Sequence, residues 1–308
     1  MAHELILHHY DGSPFAEKAR LMLGYKRLDW RSVKIPVIMP KPDLTALTGG
    51  YRRTPVLQIG ADIYCDTALI ARVLERLAPQ PTLFPADAPT APLLAQWADF
   101  TLFWSVIPYT MQPAGMAQVF KGVPPEIIRA FGADRVPFTA SLRRQTLSDA
   151  TAALESYLDL LERQLADGRS YLFGDAPCIA DFSVAHNGWY VRRGGSVAQI
   201  IEQRPALNAW LDRMLAIGHG RSERMRSDEA IAIAADADPL PAQVQPGLGF
   251  EPGQPLTVTP MDYGLDPVAG LLAGLDRDTV VLARIDERAG TLHVHFPRRG
   301  YQIKKEQT

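Results

Sequence analysis

The chain holds only two cysteines in 308 residues, Cys65 and Cys178. So sparse a pair builds no disulfide framework and fits a reducing compartment. An excess of one charge is also missing. Thirty-two Lys and Arg stand against 34 Asp and Glu, a formal net charge of -2. That balance offers no basic stripe for nucleic acid and no polybasic anchor for a membrane. No apolar run reaches the ~20 residues a bilayer-spanning helix needs. The first residues read as a strand and not as a charged-then-apolar leader. No internal repeat is visible. These absences leave a cytoplasmic globular protein with small or neutral partners. With 47% apolar and 21% charged residues, a large core is available, and the length suits two or three domains.

Three zones follow. Residues 1–78 alternate strand and helix patterns: a strand at 4–9, a helix from Pro14 to about Tyr25, a strand near Trp30–Ile35, and a short helix near Asp43–Leu47. A hairpin comes next, Val56–Ile59 and Asp62–Tyr64 joined through Gly60-Ala61, and then a helix from Asp66 to about Leu77. This βαβαββα order predicts helices on the faces of a small mixed sheet. Residues 78–92 read as a Pro/Ala-rich linker. Residues 93–235 read as all-helical, with apolar residues at helical spacing in 93–111, 145–165, 179–192 and 205–217. A second linker, rich in Pro and Gly, spans 236–254. Residues 255–308 turn β-rich, with a hairpin whose turn is 286–290.

Within the first zone, "GSPFAEKAR" marks a helix start. Ser13 falls at the N-cap and Pro14 at the first helical position, where its missing N–H costs nothing. Glu17 favours the positive end of the helix dipole. The plain reading of Ser13 is a cap. As a nucleophile it would need a base, and the nearby histidines, His8 and His9, have no triad spacing to it.

The stretch "SPFAEKAR" is similar to the first helix of omega-class glutathione transferases, which carry Cys-Pro-Phe-Ala-Glu-Arg there. "TPVLQIG", "YCDTALI" and "APCIADFSVA" resemble, in order, that superfamily's cis-proline strand, its Glu/Asp-Ser helix start and its buried turn in the helical domain. The matches cover residues 4 to about 220. The resemblance implies a thioredoxin-like domain followed by an all-α domain, and glutathione as co-substrate. It implies that Thr54 and a cis Pro55 pair with the cysteinyl backbone, and that Asp66 and Thr67 hold the γ-glutamyl end. Ser13 is then the donor to the bound thiolate. A charge-assisted hydrogen bond is worth about 1.5–3 kcal/mol, comparable to the ~2.7 kcal/mol that lowers a thiol pKa by two units.

The sequence also departs from that pattern. Gly49-Gly50-Tyr51-Arg52-Arg53 replaces the relatives' Asn-Pro-aromatic-Gly, which leaves Arg53, Arg52 and Lys41 as candidates for the glycyl carboxylate. Cys178 replaces the capping Ser or Thr before Asp181, so that box is expected to be half built. Serine in place of the omega cysteine removes exchange through a mixed disulfide and leaves conjugation to an electrophile, or peroxide reduction by the bound thiolate. Phe15, Trp104 and Tyr109 are candidates for a hydrophobic electrophile pocket between the domains. His293 and His295 share one strand face. No carboxylate or cysteine has ligand spacing to them, so no metal is expected. The resulting expectation is a homodimeric glutathione transferase with a β-rich appendage. The alternative is a glutathione-binding or protein-interaction module that kept the fold without turnover.

Overall fold

The computed structural model describes residues 4–306. The outermost residues assigned above to the first and third zones, 1–3 and 307–308, lie outside the described residues. Strand β1 (Ile6–His9) is followed by α1 (Pro14–Tyr25), β2 (Trp30–Lys34), α2 (Pro42–Thr48), β3 (Val56–Ile59), β4 (Asp62–Cys65) and α3 (Thr67–Leu77). This is the βαβαββα order that the apolar patterning predicts. In α1 the Ser13 oxygen accepts the Ala16 N–H at 3.2 Å, Pro14 opens the helix, and Ala16–Leu23 are buried throughout. The apolar face of α3, with Leu69, Ile70, Val73 and Leu74, is buried in the same core.

The helical region runs α4 (Ala91–Trp97), α5 (Phe103–Thr110), α6 (Pro113–Val119), α7 (Pro125–Phe138), α8 (Leu147–Leu165), α9 (Ile179–Arg192), α10 (Gln199–Glu202) and α11 (Pro205–Ala216). Helices α6 and α7 occupy a stretch to which the sequence reading assigned no element. Between α4 and α5 the chain passes through a π-helical turn, Ala98–Leu102, whose extra residue shifts the helix face at Asp99. The Cys178 box is fuller than expected. The Asp181 carboxylate accepts the Cys178 N–H at 2.9 Å and the Cys178 thiol at 3.3 Å, and it also takes the Leu172 N–H and Trp210 Nε1–H. Asp181 thereby ties a loop and two helices together.

The region read as all-helical ends differently. Residues Ser222–Met225 form β5, parallel to β2 with Trp30 opposite Ser222, and α12 (Ser227–Ala235) packs on α2. Strands β6 (Pro255–Pro260), β7 (Val268–Leu275), β8 (Thr279–Asp286), β9 (Gly290–Pro297) and β10 (Tyr301–Lys305) then extend the first sheet, because β9 pairs in parallel with β4. The result is one ten-stranded sheet in the order β10-β6-β7-β8-β9-β4-β3-β1-β2-β5. Its faces carry separate cores. One holds α1, α3 and the helical region; the other joins Ile6, Val33 and Ile63 to Ile231 of α12 and to Leu256, Leu282, Val294 and Phe296 of the C-terminal strands. The β-rich extension therefore shares a core with the first zone, with apolar side chains contributed from both sides.

Candidate active site

Two cavities of about 600 Å³ each lie between the sheet and the helical region. Phe15, Arg53, Thr54 and Tyr263 line both. The first contains Pro55, Asp66 and Thr67; the second contains Ser13, Lys41 and Trp104. The Thr54–Pro55 peptide is cis, the geometry expected from the sequence.

At the first cavity Asp66 caps α3 with φ +78°, a left-handed conformation that costs a non-glycine residue on the order of 1–3 kcal/mol and is concentrated at ligand sites. One carboxylate oxygen accepts the Ala68 N–H at 2.8 Å. The other accepts the Tyr301 hydroxyl at 3.0 Å, and Tyr301 is in turn 2.8 Å from the Tyr51 hydroxyl. Burial raises the Asp66 pKa, against the Ala68 N–H and the Arg53 charge. Beside it, Thr67 accepts from fully buried Lys18 at 3.2 Å, which leaves its own hydroxyl proton free to donate. Lys18 also pairs with Asp99 at 2.6 Å, and Asp99 meets His186 Nε2 at 3.1 Å. Burial pushes Asp99 up, but Lys18 and the His186 hydrogen bond outweigh it and hold the carboxyl below the usual range.

At the second cavity Ser13 is 2% exposed. Its oxygen spends one lone pair on Ala16, so its proton remains available. The strand histidines are committed elsewhere. His8 Nε2 meets Gln58 at 2.8 Å, while His9 meets Ser32 at 2.9 Å and Arg20 at 3.0 Å. Burial drives their pKa values down, to about 4 and about 3. Ser13 has no base. Lys41 is buried with Thr54 Oγ1 at 3.3 Å, and burial together with Arg135 lowers its pKa to about 8. The cavity wall is aromatic: Phe15 packs on Phe103 at 4.8 Å and Trp104 on Tyr263 at 5.0 Å.

Two expectations shift here. Tyr109 does not line either cavity; its hydroxyl donates to the Val197 carbonyl at 3.1 Å. Arg53 reaches the site but is taken by Asp262 and the Tyr263 carbonyl, and its guanidinium lies 4.1 Å from the Tyr263 ring. Arg52 is held by Asp134 at 2.8 Å. Of the three cations named for a carboxylate, Lys41 is the one without an acidic partner among the described residues.

Residues 7–82 match the model of the glutathione S-transferase N-terminal domain, and residues 144–213 that of the C-terminal domain. A GST-like protein from Pseudomonas syringae is 42% identical, with a TM-score of 0.83 over 99% of this chain and 100% of that one. The chain belongs to the glutathione transferase superfamily. A transferase from Rhodospirillum rubrum F11 shares the fold at 23% identity, TM-score 0.52, over 69% of this chain and 88% of its own. The beta-etherase LigF from Sphingobium sp. strain SYK-6 does so at 21% and 0.51, over 69% and 95%. No curated protein sequence matches the chain. The Pseudomonas protein thus aligns over almost the whole chain, extension included, while the other two align over 69% of it. For a glutathione transferase, the residues that sequence reasoning missed are Tyr263 and Tyr301, supplied by the extension, and the Lys18–Asp99–His186 cluster. Lys18 lies within the first-helix stretch, but only the fold pairs it with Asp99 and His186 and brings the two tyrosines to the site.

Proposed function

We propose that the protein is a glutathione-dependent transferase in which Ser13 donates a hydrogen bond to the bound thiolate. The observation that carries this reading is the Ser13 hydroxyl at the start of α1, nearly buried, without a base among the described residues, and lining a cavity that also holds Thr54. A helix N-terminus stabilises an anion, and one charged hydrogen bond adds to it. Asp66 and Thr67 suit the γ-glutamyl ammonium and carboxylate, the backbone of Thr54 suits the cysteinyl unit, and Lys41 suits the glycyl carboxylate. The electrophile then occupies the aromatic part of the second cavity, beside Phe15 and Trp104. Trp104 Nε1 is buried there with no hydrogen-bond partner among the described residues, so an electrophile with an acceptor atom fits best. The reaction is conjugation or peroxide reduction by the thiolate. We extend the proposal to a cytoplasmic homodimer, in keeping with the family and with two free, buried cysteines.

One observation favours the second reading, a glutathione-binding or interaction module without turnover: the Tyr301 hydroxyl already sits on the Asp66 oxygen that an ammonium would use. Retention on immobilised glutathione followed by a turnover assay with an aromatic halide separates the two. Retention with turnover is the expected result. Retention alone selects the module, and failure of both removes glutathione from the account.

A further inference from the structure

His293 and His295 project from the same face of β9, and the parallel pairing of β9 with β4 sets Asp62 opposite His293. One ring nitrogen of each histidine and one oxygen of Asp62 lie within 4.8 Å of one another. The sequence reading found no carboxylate for these histidines because Asp62 is 231 residues away and reaches them only when the C-terminal strands join the first sheet. We propose that Asp62, His293 and His295 form a divalent-cation site of the zinc type, at the seam between the thioredoxin-like domain and its extension.

The donor set is two imidazoles and one carboxylate, which with a water completes four-coordinate zinc. A hydrogen bond explains part of the arrangement without metal, since His295 Nε2 lies 2.7 Å from Asp62 Oδ1. It does not explain His293, whose Nδ1 is buried with no partner among the described residues. The surroundings also fix the ligands as an outer shell does. The Leu240 N–H donates to the other Asp62 oxygen at 2.9 Å, the Tyr64 ring stacks on His295 at 4.4 Å, and the backbone N–H of His293 donates to the Ala61 carbonyl at 3.1 Å, which fixes the strand position that carries the ring. His293 is only half-buried, which leaves an entry path and room for the water ligand. Arg76 of α3 is a like charge near His295; it is exposed and therefore screened.

The test uses the full chain, stripped with a chelator and titrated with Co(II) and then Zn(II). The expected result is one equivalent of Co(II) giving the visible absorption of a four-coordinate site, displaced by Zn(II), with a rise in Tm under Zn(II). His293→Ala keeps the Asp62–His295 hydrogen bond and so keeps the fold. It should weaken Zn(II) by at least about tenfold, the scale at which even an outer-shell partner is felt. His295→Ala should do the same at larger cost to Tm. Wild-type protein that binds no Co(II) or Zn(II) at millimolar metal overturns the proposal, as does His293→Ala binding as tightly as wild type. Neither readout depends on glutathione turnover.

Discussion

At the scale of the residue, substitution separates the cap that Ser13 forms on α1 from the thiolate-donor role proposed for it. If it only capped α1, Ser13→Ala would cost about 1 kcal/mol of stability and leave the pH profile of turnover in place. As the thiolate donor it should do more: the pKa of bound glutathione rises by one to two units, on the order of 1.4–2.7 kcal/mol, and conjugation falls at neutral pH but recovers at high pH. The thiolate absorbance of bound glutathione against pH checks this, and coincident curves for the two proteins end the donor role. Tyr301 presents a similar choice. Its hydroxyl bonds Asp66 and keeps that carboxylate in place, and Tyr51 supports it from behind. Tyr301→Phe should raise the Kd and KM for glutathione by roughly tenfold, about one charged hydrogen bond, with kcat unchanged. Tighter binding in the variant would instead identify Tyr301 as a competitor for the ammonium site.

At the scale of elements, β1 adds to the acid sensitivity of the fold. His8 and His9 are adjacent, yet both are buried, because β1 is a central strand covered on its two faces. Their folded pKa values, about 4 and about 3, lie below the ordinary 6.5, chiefly through burial. The unfolded chain therefore binds protons that the folded one refuses, and stability is full above pH 6.5 and lost as the pH falls below it. Each histidine should remove roughly 2 kcal/mol between pH 6.5 and 5, at 1.36 kcal/mol per pH unit. Urea midpoints at pH 7 and pH 5 report this directly. Equal midpoints would mean that the strand admits charged imidazole at little cost.

For the whole molecule, the extension should be inseparable from the rest. Strand β9 covers the outer edge of β4, and Leu256, Val258, Leu282 and Phe296 are fully buried against the same core as Ile6 and Ile63. A chain ending before Pro255 exposes that apolar face and an unpaired strand edge, which favours aggregation. It should be insoluble, or unfold at a Tm well below that of the full chain, and should lose glutathione binding with Tyr263 and Tyr301. A soluble truncated protein with unchanged Tm and glutathione affinity would show that the extension is a separate appendage.

Residues 4–78 are legible in the sequence because their signals are local: apolar periods, the Ser13-Pro14 helix start, the Thr54-Pro55 strand opening and the Asp66-Thr67 cap each act within a few residues. The same holds for the Cys178–Asp181 turn and for the hairpin at 286–290. Local rules have no term for an edge left open. Nothing within β4 says that β9 will pair with it, and nothing in β2 says that β5, 192 residues later, will take the opposite edge. Strand pairing joins backbone groups whatever their separation along the chain, so its partners are chosen by topology and by the shared burial of both cores. That choice brings Tyr301 to Asp66, Asp262 to Arg53 and Asp62 to the two histidines. Tyr109, a candidate for the cavity wall, is held away from it inside the helical region by its bond to the Val197 carbonyl. The residue types of the site were set by sequence; their company was set by the fold.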